Sequence, residues 1–464
     1  MNYMEQYDIW KQDAFFDEMT RKELTSLDPK KDEEEIENRF CCNLGYNSEG
    51  MLGIMGAGTN RMNKYTVGRA TKGLGEFLTE AFGIDLCAQR GVVIGYDTRN
   101  NSHFYAKCAA DVLSSMGIRV YLHTHARPTP QLSFSVKFWG AVAGIMITAG
   151  NRSGEYNGYR IFDEYGSRPV PEQAKKIAVY MDKITDYHTI DFSGNAALVE
   201  MADVTDNYIG AVLKQSRYKN PSAKKDIHIV YTPLHGTGNV PMQKTLRMAG
   251  FGHVDSVEEQ VKPEGDFPTI IRPDLGNAET MQIGILQAGR SGADIVLGTE
   301  PDGTGVGVAV RTKTGYELMS GNQVGVLLTD FIAQNTHFPT GIRPAIVISN
   351  EASKLCAVIA RKKGMTVFTT LRGFEYIGEK ITNFEKAKKN AGDVSDVHFV
   401  FGYGETNGYL AGTHARDADA VVAGLLICEM AAKLKAEGKT LFDRMKEIED
   451  EYGDYSYTED GTVF

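Results

Sequence analysis

Short apolar runs alternate with helical patterns along this chain, and the alternation restarts three times. Between Tyr65 and Ile184, "YTVGRATKGLGEFLTEAF" reads as a helix, "GVVIGYD" as a buried strand and "SHFYAKCAADVLSSMG" as a helix. "IRVYLH" and "AGIMITA" follow as strands, and "PEQAKKIAVYMDKI" is a helix opened by Pro171. The rhythm returns after Asp203 with "DIHIVY", "PMQKTLRMAG", "AETMQIGILQAGRSG" and "ADIVLGT". It returns again after Ser320 with "NQVGVLLTDFIAQN", "PAIVIS", "ASKLCAVIARKKG", "TVFTTL" and "DVHFVFGYGE". Strands that are apolar on both sides need helices over both faces, which predicts α/β architecture with mixed, mostly parallel sheets. The expected domains are 44–202, 203–315 and 316–440 around a central cleft, with an N-terminal helical segment over 1–43 and a helical tail over 441–464. Within the first segment "KKDEEEIENRF" reads as a solvated helix.

Charge and composition exclude several functions. The 464 residues carry a net charge of −10 with no basic block, so nucleic acid is not an expected partner. No run of ~18 apolar residues predicts a membrane span. The opening "MNYMEQYDIWKQD" is polar and acidic, unlike a secretory signal. Six cysteines are scattered, with only Cys41 and Cys42 adjacent. That is not a zinc framework, and it suits a reducing cytoplasm.

In α/β folds ligands sit beyond the carboxyl ends of strands, so the loops there are the candidate sites. The first is in "GIMITAGNRSGEYNGYRIF", from Gly144 to Phe162. The second, "GTEPDGTGVGVAV", sets Glu300 and Asp302 two residues apart, where both can face one hard cation. The same stretch also reads as a plain turn, given Pro301, Gly303, Gly305 and Gly307. The third, "GYGETNGYLAGTHARDADAV", offers Glu405, Thr406 and Asn407 to sugar hydroxyls, or is a loop whose "RDADAV" caps the next helix. In "TPLHGTGN", Gly236 and Gly238 would free backbone amides to face an anion.

These loops, with "MGAGTNRMNKYTVGRAT", "GYDTRNNS", "ARPTPQLSFSVK", "ELMSGNQVGVLLTDFI" and "GFEYIGEKI", resemble the α-D-phosphohexomutases from about residue 35 to 450. The nearest branch is the bacterial phosphoglucomutase/phosphopentomutase type. The resemblance implies four domains around a cleft and a phosphoserine that exchanges phosphate with a hexose phosphate. It implies three aspartates on Mg²⁺, a glutamate and a serine on the sugar, and a lysine on the distal phosphate. The site positions it picks out are Gly150, Asn151, Arg152 and Ser153 for catalysis and Glu300, Asp302 and Thr304 for metal. For substrate they are Arg61, Arg160, His235, Glu375, Gly404, Glu405, Thr406 and Arg416.

Several positions depart from the family pattern. Gly150 stands where the nucleophilic serine belongs, which removes the covalent step. Glu300, Asp302, Thr304 and Gly305 replace an Asp-x-Asp-x-Asp-Arg loop. Gly404 replaces the leading glutamate, Glu375 the lysine, and Leu52 an early arginine. The resemblance's fourth domain is not expected before Phe464, so Met445 and Ile448 are expected on an uncovered flank that meets a partner, a second copy or the chain's own acidic tail. The expectation is a catalytically silent binding or regulatory relative, with Mg²⁺ weak or absent and a sugar phosphate as the ligand. The alternatives are residual phosphotransferase chemistry through Ser153 or Thr148, and a truncated copy with no role.

Overall fold

The computed structural model describes residues 2–338, 340–390, 397–404 and 407–453. The chain forms two compact units. The first comprises 1–126, 136–164 and 168–203, and the second 127–135, 165–167 and 204–464.

The first unit is built on six strands: β1 (Met51–Ile54), β2 (Val92–Tyr96), β3 (Val120–His123), β4 (Ala143–Ile147), β5 (Tyr156–Phe162) and β6 (Val199–Ala202). Their order is β1-β5-β4-β2-β3-β6. β2, β3, β4 and β6 run parallel, while β5 returns antiparallel beside β4 and β1 antiparallel beside β5. Every residue of β2 and β4 is buried, as the unbroken apolar runs require.

The N-terminal segment is not a solvated arm. Helices Tyr3–Gln12, Glu18–Thr25 and Glu33–Phe40 bury Tyr7, Trp10, Phe16, Leu24, Ile36 and Phe40 against Tyr65, Val112 and Ile190. Trp10 stacks on Phe16 at 4.3 Å between ring centroids and meets Tyr65 edge-on at 5.4 Å. The acidic run "DEEE" hides this role in the sequence. Its apolar partners, Ile36 and Phe40, are one turn apart and face inward together.

The second unit holds two sheets. One contains β7 (His228–Thr232), β8 (His253–Ser256), β9 (Ile295–Thr299), β10 (Val306–Arg311) and β11 (Tyr316–Leu318), in the order β11-β10-β9-β7-β8. The other contains β12 (Arg343–Ser349), β13 (Thr366–Thr370), β14 (Val397–Tyr403) and β15 (Tyr409–Ala411), in the order β13-β12-β14-β15. Both are parallel at the centre, with antiparallel strands toward one edge. The helix Ala420–Ala436 is apolar nearly all round and buried along most of its length. Its side chains join one core with Ile295 and Val308 of one sheet and Ile346 and Phe401 of the other.

The flank expected to lie open is covered by the chain itself. Leu441, Met445 and Ile448 of the helix Leu441–Tyr452 are buried in that same core, packed on the helices Gly321–Gln334 and Lys354–Lys362. Among the described residues no helix is long and apolar enough to cross a membrane.

Because Trp10 and Ile448 are core residues, truncating either should lower stability and leave the oligomeric state alone. Trp10→Ala should cost about 3–5 kcal/mol and Ile448→Ala about 2–5 kcal/mol in denaturant unfolding. A loss under about 0.5 kcal/mol, the range of surface changes, would contradict the burial of that residue.

Candidate active site

The same local construction recurs in each sheet. A buried parallel strand ends, a short loop follows, and the next strand returns antiparallel beside it. The loops run over 148–155 between β4 and β5, 300–305 between β9 and β10, and 404–408 between β14 and β15. Each closes on the main chain. Thr148 N donates to Gly158 O at 3.0 Å, Glu300 N to Gly305 O at 3.0 Å, and Gly404 N to Gly408 O at 3.1 Å.

The first loop is held by a buried acid–base pair that follows β2. Asp97 accepts hydrogen bonds from Thr148 Oγ1 and Ser102 Oγ, both at 2.6 Å, and from Arg99 N at 2.9 Å. The Arg99 guanidinium lies 3.3 Å from the Asp97 carboxylate. It donates to the carbonyls of Gly150 (2.8 Å), Arg152 (2.5 Å), Ser153 (2.7 Å) and Tyr156 (3.2 Å). Burial pushes the Asp97 carboxyl above its ordinary range, and the Arg99 charge and the hydroxyl donors pull against that shift. In the sequence the brace lies in "GYDTRNNS". Its Asp-x-Arg spacing directly after a buried strand was the signal for this brace.

Gly150 sits at φ +59°, a left-handed conformation that glycine adopts without strain. Its amide donates to Thr148 Oγ1 at 3.0 Å. Beside it lies a cavity of about 140 Å³ lined by Thr148, Asn151, Arg152, Arg160, Leu52 and Glu49, among others. Leu52 stands where the resemblance implies an arginine, and Arg152 and Arg160 line the same cavity. Ser153 does not line the cavity; its hydroxyl donates to Glu155 Oε1 at 2.8 Å.

The second loop does bring its acids together. Thr304 Oγ1 lies 2.7 Å from Asp302 Oδ1 and 3.2 Å from Glu300 Oε2. Asp302 is fully buried, and Thr129 Oγ1 reaches its other oxygen at 3.3 Å. Neighbouring oxygens around an octahedral Mg²⁺ lie about 2.9 Å apart for bonds of ~2.0–2.1 Å. Glu300, Asp302 and Thr304 are oxygen donors of the kind a hard cation takes, with two formal charges. A Cβ on Gly305 would meet the Glu300 carboxyl at 2.5 Å. The lengthened acid thus fills the space that a side chain at 305 would need.

"TPLHGTGN" packs against this loop. A Cβ on Gly236 would meet Pro301 Cα at 2.3 Å, and one on Gly238 would meet Thr299 Oγ1 at 2.4 Å. Two of its amides are used within the protein: Gly236 N donates to Pro233 O, and Thr237 N to Pro301 O, both at 2.8 Å. His235 is likewise internal, with Nε2 2.9 Å from Thr269 Oγ1 and Nδ1 3.1 Å from Lys262 O.

The third loop adjoins the second, with Val306 N donating to Asn407 O at 3.0 Å. Gly404 has open space where a side chain would stand. Glu405 and Thr406 lie outside the described residues. Other expected substrate contacts are spent inside the protein. Arg416 is fully buried and donates to Thr413 O at 2.7 Å, with Glu385 2.6 Å away. Arg61 is buried against Asn38 Oδ1 at 2.8 Å and Glu35 at 3.2 Å. Glu375 is buried in the first turn of the helix Phe374–Asn390, its carboxylate folded back over Gly373. The resemblance picked these positions out as substrate contacts, and in the structure their side chains pack against other segments of the chain.

Fold and loops together define an α/β protein of repeated mixed sheets with its candidate ligand loops at strand carboxyl ends. Family profiles for phosphoglucomutase/phosphomannomutase α/β/α domains I, II and III match residues 45–188, 206–315 and 320–452. The chain belongs to the phosphoglucomutase/phosphomannomutase family. It is 29% identical over 442 residues to a phosphoglucomutase of Staphylococcus epidermidis, covering 92% of this chain and 77% of that one. It is 32% identical over 400 residues to a Haemophilus influenzae protein described as "Probable phosphomannomutase", covering 85% and 77%. In fold it matches a Thermus thermophilus structure given as a candidate phosphomannomutase, with a TM-score of 0.70, 24% identity and coverage of 89% and 84%.

Removing the brace should loosen the first loop. Arg99→Ala leaves Asp97 buried without its counter-charge, a change that costs about 3–5 kcal/mol. Denaturant unfolding and limited proteolysis check this. The expected outcome is lower stability together with new cleavage within 148–155, and wild-type stability would show that the pair is dispensable.

Proposed function

We propose that this chain binds a sugar phosphate on a phosphohexomutase scaffold and does not turn it over. The observation that carries the reading is Gly150. Its amide and carbonyl are held by Thr148 and Arg99, so the loop keeps a defined shape, yet no oxygen nucleophile stands at that position. Arg152, Arg160 and Asn151 around the neighbouring cavity supply the donors a phosphate needs. Glu300, Asp302 and Thr304 would hold Mg²⁺ weakly, because two carboxylates and a hydroxyl attract it less than three carboxylates. The free cysteines, with Cys41 and Cys42 exposed, support a place in the reducing cytoplasm.

One observation favours a second reading, residual phosphotransfer through Ser153. Its hydroxyl already donates to a carboxylate, Glu155, that can accept the proton as the oxygen attacks phosphorus.

A coupled assay with glucose 1-phosphate, glucose 1,6-bisphosphate and Mg²⁺ tests the main reading. No turnover is expected, and a rate above ~1 s⁻¹, within the usual enzyme range, would overturn it. Intact-mass measurement on the same mixture should show no added phosphate, whereas phosphate on Ser153 would establish the second reading. Calorimetry with glucose 1-phosphate should show binding that Arg160→Ala weakens at least ~10-fold, a loss of about 1.4 kcal/mol. Gly150→Ser should not restore turnover and should cost about 1–2 kcal/mol of stability, the penalty for a side chain in left-handed backbone.

A further inference from the structure

At the amino ends of β7 and β8, away from the loops described above, the sheet register gathers three metal-binding groups. β7 opens with His228 and β8 with His253, and the two residues are paired in the parallel register. Asp255 lies two residues beyond His253, so the strand period of two returns it to the same face. His228 Nε2 is 2.8 Å from Asp255 Oδ2, and His253 Nε2 is 3.9 Å from the same oxygen. The two imidazoles stack at 3.5 Å between centroids with 6° between planes. The ligand atoms of all three residues lie within 4.8 Å of one another, and among the described residues this is the group of three or more such side chains so arranged.

We propose that His228, His253 and Asp255 form a binding site for a divalent ion of borderline softness, Zn²⁺, with water completing the shell. Tetrahedral ligands at bonds of ~2.0–2.2 Å stand about 3.3 Å apart. The distances 2.8 Å and 3.9 Å bracket that spacing, so the site needs adjustment and not assembly. His228 is nearly buried and fixed. The His253 side chain is 53% exposed, free to turn out of the stack and aim its ring nitrogen at the ion. Both imidazoles coordinate in the neutral form, and any proton held by a ligand nitrogen leaves to solvent as the ion enters. Two nitrogen ligands disfavour Mg²⁺, which separates this site chemically from Glu300 and Asp302. β8 is the edge strand of its sheet, so the ion would tie that edge to its inner neighbour.

Calorimetric titration of Zn²⁺ into the chelator-stripped full chain, with Mg²⁺ in excess, tests the site. One saturable equivalent is expected. His253→Ala and Asp255→Asn should each weaken it at least ~10-fold, as loss of a ligand or its close support does. Asp302→Asn should leave it unchanged. Co²⁺ in place of Zn²⁺ should give visible absorption that His253→Ala abolishes. His253 is largely exposed and β8 pairs through its main chain, so that variant keeps the fold. No saturable uptake by the unsubstituted chain, or uptake untouched by His253→Ala, would overturn the proposal.

Discussion

The antiparallel return strand is the constraint on which the candidate site depends. After β4, β9 and β14 the chain must turn within a few residues and pair beside the strand it has just left. Ladder hydrogen bonds therefore clamp both ends of each loop, and those bonds involve no side chain. A loop shaped by its main chain tolerates a change of side chain at its tip. This is the physical reason that glycine can stand at position 150 without collapse of the surroundings.

Arg99 extends the same logic. Its guanidinium reads four carbonyls of the first loop, and a carbonyl is present whatever the residue. The cost of burying its charge is offset by Asp97, which is itself satisfied by Thr148 and Ser102. In the second loop the side chains fit one another. Glu300 reaches over Gly305, so the longer acid and the missing side chain are two parts of one packing solution. Thr304 keeps an oxygen between the two acids, and Thr129 supports Asp302 from a segment remote in sequence.

Cationic side chains show how tertiary context decides chemistry. Arg152 and Arg160 line a small cavity beside the first loop. Arg61 and Arg416, equally promising as residue types, are buried among carbonyls and acids of their own chain. The N-terminal helices behave similarly. Their charged outer residues read as solvated, while Trp10, Ile36 and Phe40 build a core that a window of ten residues does not reveal.

The strand and helix pattern, the α/β class and the three strand-end loops were legible in the amino-acid sequence. Hydrophobic periodicity is local, and so are the turn residues that end each strand. The absence of a serine hydroxyl at Gly150 was legible too, since it is a matter of residue identity. What needed the tertiary structure was every relation between segments far apart in the chain. The Asp97–Arg99 brace links β2 to the loop after β4, about fifty residues on. The glycines of "TPLHGTGN" are there because Pro301 and Thr299 press against them. Met445 and Ile448 are covered by helices more than eighty residues earlier in the chain. Burial and hydrogen-bond partners follow from which surfaces meet, and that is decided by packing over the whole chain.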